Sequence, residues 1–463
     1  MSVTAELARF AAGLRIEDVP EDLVERMRKA LLDGLAIMLA AADFARVNGD
    51  RELAAYLDMT APEGTATVVG YGRRTTPMMA AFANGSMCEV LDCQDCNLTA
   101  RIHNGAAVTP AVLALAETLG ASGSEVLSAM LAGFEVGTRL GHAVQPAHWH
   151  RGFQITGTFG TSGAAAAAGR LLGLSAEAMT SALGISGFIM PVSNGDNVFK
   201  GHSAKPVHGG QPAQSGISSA YLAKAGYGAG PLEGEEPRYH AALHILGDGN
   251  PDLDRAVAGL GETWATRELA FKPYPIGLLI IGPVEIILDQ LARHRPDHRK
   301  VTAIEVRSYH DAQKFTGEKY TTTESNFVDA HLSIPYCIAA ALMDGEMTPR
   351  QFDKERLRDP AVHALAGRVT VTGNDEMTAR YPHEWPVEVT LVMSDGEKLT
   401  GAVDQVKWSP RRPPSWDDLA AKFAAMAEPV IGSEKVGQAI DFIAAVDQAD
   451  TIAPLMDMVR GAD

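Results

Sequence analysis

Hydrophobic positions in the first half of the chain recur with the period of an α-helix. After Pro20, apolar side chains share one helical face: Val24, Met27, Leu31, Leu35 and Met38. Residues 125–140 and 164–172 repeat this spacing, and a helix is predicted to begin at Pro110 and to end at Gly120. Alanine and glycine are frequent in these segments, and small side chains let helices approach closely. The sequence from Pro20 to about residue 260 therefore predicts a compact helical bundle.

The pattern changes after about residue 265, where β-strand periodicity appears. Residues 302–307 alternate apolar and polar positions, and residues 369–372 and 387–393 are rich in β-branched side chains. The turn at 394–397 leads into residues 398–403, which predicts a hairpin. Helical spacing lies between the strands, at 334–343 and 349–358, and returns in the tail at 416–460.

This order of elements predicts a mainly α protein with a smaller α+β domain inserted into a large all-helical domain. Both chain ends form the helical domain, with its first part at residues 1–264 and its C-terminal part at 405–463. The inserted α+β domain covers residues 265–404. A chain of 463 residues exceeds what one hydrophobic core usually supports, which favours the division into domains.

Composition and charge narrow the classes of partner. The chain has 57 acidic and 40 basic residues, with a formal net charge of −17. This charge argues against a broad nucleic-acid interface and against an anionic membrane surface as partner. The N-terminus lacks a basic segment followed by a long apolar run, and four cysteines do not make a disulfide framework. We therefore expect a cytoplasmic protein.

In such an acidic chain, isolated basic loops are conspicuous. Lys272 lies in the segment FKPYP, and Lys205 lies in the segment AKPVHGG. Proline and glycine disfavour a regular helix at both places, and a lysine held on a stiff loop suits contact with a carboxylate. Residues 199–208 contain further basic side chains: Lys200, His202 and His208. A solvated surface and an anion site are both compatible with that cluster.

Two other segments carry candidate chemistry. Asp92 and Asp95 precede His103, and a carboxylate beside an imidazole can orient it and raise its basicity for proton transfer. A solvated surface loop is the alternative. Residues 148–161 combine histidine, glycine and threonine before a polyalanine helix, which is typical either of an anion site at a helix N-terminus or of a capped buried helix.

The cysteines offer a different hypothesis. Cys88, Cys93 and Cys96 have the spacing C-x4-C-x2-C, with Cys337 as a distant fourth ligand, which resembles an iron–sulfur loop of a cluster-dependent hydro-lyase. However, Cys88 falls in a predicted helix at 78–91, and the segment lacks the glycines of a cluster loop. No phosphate-binding glycine loop, HExxH motif or nucleophile elbow is present in the sequence. We predict no cofactor and no metal.

Taken in order, these segments resemble the MmgE/PrpD family, which includes 2-methylcitrate dehydratase, cis-aconitate decarboxylase and iminodisuccinate epimerase. The resemblance covers nearly the whole chain and rests on five landmarks in the family's order: residues 84–92, 110–117, 152–174, 205–216 and 272–275. It implies a large helical domain from both chain ends, an α+β lid and a homodimer.

The resemblance also implies site residues. Asp92 falls on the first aspartate of the family's D-F-D-D-T segment, and His103 on its H-P histidine. Lys205 matches the lysine of K-P-x-H-x-G, and Lys272 that of K-P-Y-P. This chain departs from the family where residues 92–96 read DCQDC, where asparagine follows His103, and where Gln154 replaces the histidine of G-[WF]-H-x-T.

These observations together predict a cofactor-independent lyase, a dehydratase or decarboxylase acting on a small di- or tricarboxylic acid through a carbanion next to a carboxylate. Lys205 and Lys272 would bind carboxylate oxygens, and His103, oriented by Asp92, would transfer the proton. Substrate-binding roles are expected for four further residues: Gln154, Lys200, His202 and His208. The alternatives are an epimerase that uses the same proton abstraction and a catalytically silent relative that only binds carboxylates.

Overall fold

A computed structural model describes residues 2–236, 238–317 and 326–462 of the chain. The protein is mainly α-helical, as predicted. Its helices, in chain order, are α1 (Val3–Gly13), α2 (Glu21–Asn48), α3 (Glu52–Thr60), α4 (Pro77–Val90), α5 (Asn104–Leu119), α6 (Gly123–Val144), α7 (Ala147–His150), α8 (Phe159–Leu171), α9 (Ala176–Ile189), α10 (Asp196–Phe199), α11 (Val207–Lys224), α12 (Ala242–Leu246), α13 (Leu253–Val257), α14 (Ile281–His294), α15 (His310–Ala312), α16 (Phe327–His331), α17 (Ile334–Asp344), α18 (Pro360–Ala366), α19 (Asp375–Arg380), α20 (Trp416–Ala444) and α21 (Ala453–Val459).

The described strands are few and short. They are β1 (Ala66–Thr67), β2 (Arg74–Thr75), β3 (Cys96–Asn97), β4 (Leu269–Ala270), β5 (Val301–Ser308), β6 (Val369–Gly373), β7 (Val387–Met393) and β8 (Lys398–Val403). The last four form one sheet in the order β6-β5-β7-β8, in which only the β5–β6 pair is parallel. Helices α14 and α17 pack on this region. The predicted strands and the β7–β8 hairpin are confirmed.

The first half of the chain forms the predicted bundle, in which α4, α5, α6, α8 and α11 pack against one another. Glycines allow these close approaches. A Cβ atom added to Gly85 in α4 would lie 2.7 Å from the carbonyl oxygen of Gly209 in α11, and one on Gly216 would lie 2.4 Å from Ala164 in α8. Such distances are below van der Waals contact, so the prediction that small residues bring the helices together is confirmed.

The C-terminal part returns to the first helices, because α20 packs along α2. A buried ion pair links them, with Lys422 Nζ 2.6 Å from Asp33 Oδ1. The predicted domain boundaries at 264/265 and 404/405 stay predictions.

Three helix predictions are wrong in part. Helix α5 begins at Asn104, so Pro110 lies inside it. Because Pro110 has no N–H, it cannot donate to the carbonyl of Ala106, and this carbonyl faces Gly85 of the neighbouring helix. Residues 349–358 form two short 3-10 turns, Pro349–Phe352 and Arg356–Arg358. The tail is interrupted, since α20 is kinked at Gly432, whose φ is +77°, and a non-α segment precedes α21.

Within the described ranges, each helix is too short or too polar to cross a lipid bilayer.

Candidate active site

A buried aspartate joins the two predicted lysines. The Lys272 ammonium donates to both the main-chain oxygen of Asp92, at 2.8 Å, and its Oδ1, at 2.6 Å. Lys205 Nζ lies 3.7 Å from Asp92 Oδ2. Although the two lysines are far apart in sequence, the structure brings their charges together on the carboxylate of Asp92.

Local structure explains how these groups meet. The segment after α4 turns at Asp92, which has a left-handed φ of +49°. Its continuation, β3, pairs antiparallel with β4, with Cys96 opposite Ala270. This pairing places Lys272, two residues beyond β4, beside the turn. Lys205 lies in the turn that leads into α11, which packs on α4.

Glu89, near the end of α4, belongs to the same charge cluster and was missed from sequence. Lys205 Nζ donates to its main-chain oxygen at 2.9 Å and to its Oε2 at 3.4 Å. His208 Nδ1 lies 3.6 Å from the same Oε2, which is beyond ordinary hydrogen-bond range. A lone carboxylate inside the apolar helical run ANGSMCEVL was the available signal, since buried acids require partners.

The cluster holds its carboxylates ionised. Burial alone would raise the pKa of Glu89, but Lys205 and His208 outweigh it and hold that pKa well below the usual range. At Asp92, burial alone would again raise the carboxyl pKa. Lys205 and Lys272 outweigh burial and hold that pKa far below its normal value. Burial would lower the pKa of Lys205, yet Asp92 and Glu89 raise it. Glu89, Asp92 and Lys205 are therefore charged near neutral pH.

His103, at the N-terminus of α5, is oriented differently from the prediction. Its Nδ1 lies 2.6 Å from the main-chain oxygen of Asp95, and its main-chain N–H donates to Thr156 Oγ1 at 2.9 Å. The expected orientation by Asp92 is wrong, because the Asp92 carboxylate is bound by lysines. A carbonyl partner accepts the proton on Nδ1, which leaves Nε2 unprotonated.

The environment keeps the His103 ring neutral. Burial and the nearby Lys272 charge lower its pKa to about 4. The Asp95 side chain lies behind it and accepts from the main-chain N–H of Gly105 at 2.9 Å. Burial raises the pKa of Asp95 to about 7, so the carboxyl of this second aspartate is only partly ionised at neutral pH. A neutral imidazole with a free Nε2 is suited to accept a proton.

These residues line one cavity, whose wall combines charged and polar side chains with an apolar surface. Its polar side chains include Glu89, Asp92, Gln94, Arg101, His103, Gln154, Lys205, His208, Lys272, Asp311 and Thr316. Among the described residues, several of these polar atoms are buried without a hydrogen-bond partner, including Glu89 Oε1, both amide atoms of Gln94 and both ring nitrogens of His208. Buried polar atoms normally have hydrogen-bond partners, so this part of the cavity is suited to bind a polar ligand.

Two predicted substrate-binding residues lie elsewhere. Lys200 and His202 are exposed and do not belong to the cavity lining, whereas Gln154 and His208 do. The turn between α10 and α11 places Lys205 inward, and residues 202–204 before it face solvent. Sequence proximity to Lys205 therefore gave a wrong location for both residues.

Aromatic side chains form a further part of the cavity wall and were not predicted. Trp149, Phe199 and Phe315 contact one another, with ring centroids 5.1 to 5.5 Å apart. Tyr381 and Trp385, from the α+β region, line the cavity as well. These rings come from four separate chain segments, so no local sequence pattern indicates that they lie together.

The four cysteines are all buried free thiols. Burial raises the pKa of Cys96 to about 12 and that of Cys88 well above its usual value. Cys93 Sγ lies 3.8 Å from the main-chain oxygen of Lys272. No group of three or more His, Cys, Asp or Glu side chains in residues 2–236, 238–317 and 326–462 is arranged to hold a metal ion. No step is assigned to the thiols.

A mainly α fold encloses a cavity with buried lysine–carboxylate pairs and a neutral histidine, which are groups that acid–base catalysis requires. The chain belongs to the MmgE/PrpD family: residues 5–252 match the MmgE/PrpD N-terminal domain and residues 274–448 match the MmgE/PrpD C-terminal domain. It is a lyase of the MmgE/PrpD type.

Curated relatives are similar along their whole length. The cis-aconitate decarboxylase of Aspergillus terreus is 27% identical over 477 residues, covering 99% of this chain and 96% of the relative. The cis-aconitate decarboxylases of Mus musculus and Homo sapiens are each 25% identical, covering 99% of this chain and 94% and 95% of the relatives.

Proposed function

We propose that this enzyme removes CO2 or water from a small di- or tricarboxylic acid through a carbanion next to a carboxylate, without a cofactor. The observation that carries the proposal is a neutral His103, with Nε2 available, in the same cavity as the ammonium groups of Lys205 and Lys272. The full-length similarity to proteins named cis-aconitate decarboxylase supports this choice of reaction.

The lysines bind substrate through the N–H groups that the protein leaves unused. An ammonium group has three N–H donors. Lys272 spends two on Asp92 and Lys205 spends two on Glu89. Within the described residues the third N–H of each lysine makes no hydrogen bond to protein, since Asp92 Oδ2 is 3.7 Å from Lys205 Nζ. These two donors suit the two oxygens of one carboxylate. Their positive charges then stabilise the negative charge that develops on this carboxylate as the carbanion forms.

His103 transfers the proton. In a dehydration, Nε2 takes the proton next to the carboxylate, the electron pair forms the double bond, and the imidazolium returns the proton to the departing hydroxyl as water. In a decarboxylation, the electrons of the broken C–C bond stay on carbon as CO2 leaves. A bound carboxylate raises the pKa of the imidazole, so an imidazolium then supplies the proton to that carbon. Asp92 binds Lys272 directly, whereas His103 Nδ1 is held by the main-chain oxygen of Asp95.

Gln154 is proposed to hydrogen-bond the substrate, since its amide lines the cavity and cannot titrate. The residues between 265 and 404 are proposed to act as a lid, because Phe315, Tyr381 and Trp385 from this region close one side of the cavity. The homodimer and the cytoplasmic location stay predictions; light scattering of the purified protein and cell fractionation test them.

The test compares His103→Gln and Lys205→Met with the exposed controls His202→Gln and Lys200→Met. Turnover of a panel containing cis-aconitate and 2-methylcitrate is followed by CO2 release and by mass spectrometry. We expect the cavity variants to lose at least about a hundredfold in kcat, and the controls to match the parent. Normal turnover by His103→Gln would remove His103 from the mechanism.

The same experiment in deuterated water separates the alternatives. Deuterium in recovered substrate without a new product would indicate an epimerase. Binding of the panel acids with no turnover and no deuterium exchange would indicate a silent relative.

A further inference from the structure

A third cation, Arg101, lies in the cavity wall two residues before His103. Its guanidinium carbon is 4.4 Å from the centre of the Trp149 ring and 5.7 Å from that of Tyr381. Its φ of +59° is a left-handed conformation that is unfavourable for a residue with a side chain. Two aromatic rings from distant segments thus hold a guanidinium group at the cavity on a strained backbone.

Most hydrogen-bonding capacity of this guanidinium is unused by the protein. A guanidinium has five N–H groups. Within the described ranges its one side-chain acceptor is Asp311, whose Oδ2 lies 3.5 Å from Nη2, at the outer limit of a hydrogen bond. Planar guanidinium groups bind carboxylates through two parallel N–H donors. Arg101 therefore has the chemistry and the free donors of a carboxylate receptor.

We propose that Arg101 determines specificity by binding a second carboxylate of the substrate, while Lys205 and Lys272 bind the carboxylate next to the reacting carbon. The single N–H left on each lysine serves one carboxylate, so a second carboxylate requires another donor. This inference rests on the proposed function for the reaction, but the binding it describes is measurable without turnover.

Charge balance narrows the substrate class to dicarboxylates. Three cations line the described cavity, namely Arg101, Lys205 and Lys272. Three carboxylates line it too: Glu89, Asp92 and Asp311. With Lys205 and Lys272 on one carboxylate and Arg101 on a second, no lysine or arginine of the described lining remains for a third carboxylate. The neighbouring aromatic surface of Trp149 and Phe315 is unfavourable for a desolvated anion. An acid with two carboxylates and an uncharged carbon chain between them fits this wall.

The experiment measures binding of glutarate and of glutaramate, in which one carboxylate is replaced by an amide, by calorimetry. The parent enzyme should bind glutarate at least about tenfold more tightly, because the amide cannot make the charged contact with Arg101. In Arg101→Met this ratio should fall to about two, the statistical advantage of two equivalent carboxylates. Arg151→Met is the matched control, since Arg151 also lies over an aromatic ring, Phe153, but outside the cavity lining.

A second variant keeps the test decisive if Arg101→Met folds poorly. Asp311→Asn removes the anion that competes for Arg101, so glutarate should bind several-fold more tightly while glutaramate is unaffected. An unchanged affinity ratio in a folded Arg101→Met, or no gain in Asp311→Asn, would overturn the role of Arg101. Tricarballylate binding ten times more tightly than glutarate would overturn the restriction to dicarboxylates.

Failure of this inference and failure of the proposed function have different signatures. If no acid of the panel is turned over but the glutarate preference disappears in Arg101→Met, the proposed reaction is wrong and the role of Arg101 in binding is supported. If turnover depends on His103 but the preference survives in Arg101→Met, the reaction stands and Arg101 is not the receptor.

Discussion

The ammonium group of Lys422 lies 2.6 Å from the carboxylate of Asp33, and this buried pair joins helices α20 and α2 directly behind the active-site loops. Lys422 Nζ also donates to the main-chain oxygen of Lys272 at 2.9 Å and to that of Cys93 at 3.4 Å. A residue from the C-terminal part of the chain thus fixes the backbone that carries Lys272.

Lys422→Met should destabilise the fold strongly. Removing one partner of a buried ion pair leaves the other charge without compensation, at a cost of about 3–5 kcal/mol. Urea unfolding followed by circular dichroism measures the change. The double variant Asp33→Asn/Lys422→Met removes both charges and should recover part of the loss. A single variant as stable as the parent would show that the pair has no structural importance.

Neutralising Glu89 or Asp92 should change how the free energy of unfolding depends on pH. Both carboxyls have folded pKa values below their unfolded values, so they contribute stability above pH about 4 that is lost as pH falls. In Glu89→Gln and Asp92→Asn the unfolding free energy should be lower at pH 7 and should fall less between pH 5 and pH 3. Denaturant titrations at several pH values measure this. Parallel curves for parent and variants would contradict the prediction.

His103 should titrate far below an ordinary histidine. Burial and Lys272 lower its pKa to about 4, so the ring should remain neutral at pH 6, where an unperturbed imidazole is mostly charged. NMR of protein with 13C-labelled histidine measures the titration, and the signal missing in His103→Gln identifies the residue. A midpoint near 6.5 would contradict the environment described above.

Asp95→Asn should stabilise the protein at alkaline pH. The folded pKa of Asp95 is raised to about 7 by burial, so the parent loses stability as pH rises from the unfolded pKa, near 4, through 7. Asparagine retains an oxygen for the Gly105 N–H and carries no charge. The gain should be small at pH 4 and reach about 1–4 kcal/mol at pH 8. A gain independent of pH would contradict the assignment.

Gly85→Ala should weaken the contact between α4 and α11. Its Cβ would lie 2.7 Å from the carbonyl oxygen of Gly209, and overpacking of this kind costs about 1–3 kcal/mol. Gly437→Ala in α20 is the matched control, because a Cβ there meets nothing within 4 Å. Alanine at an exposed helical position is about 1 kcal/mol more favourable than glycine. Thermal unfolding should therefore shift in opposite directions in the two variants.

Much of the fold was predictable because it depends on local patterns. Apolar spacing located α2 and α6, alternation located β5, and a turn located the β7–β8 hairpin. Lys205 and Lys272 were recognised because each is a lysine on a proline-containing loop in an acidic chain. Pro110 misled the prediction, because the packing of α4 against α5 allows a proline inside the helix.

The site itself was predictable only in part. The partner of His103 was predicted wrongly, because the left-handed turn at Asp92 directs that carboxylate to the lysines and brings the main-chain oxygen of Asp95 to the imidazole. Glu89 and Arg101 were missed. The signal for Glu89 was its position inside an apolar helical run, whereas Arg101 lies in a loop with no local pattern that marks it.

By itself, the sequence determined the helical and strand segments, the family to which they belong and the residue types available for acid–base chemistry. These follow from periodicity, turn residues and motif order, which act over short distances along the chain. Only the tertiary structure decided which charges are paired, which ring nitrogen is free and which aromatic rings enclose the cavity. Those properties depend on burial and on distances of a few ångströms between residues hundreds of positions apart, such as Asp33 and Lys422.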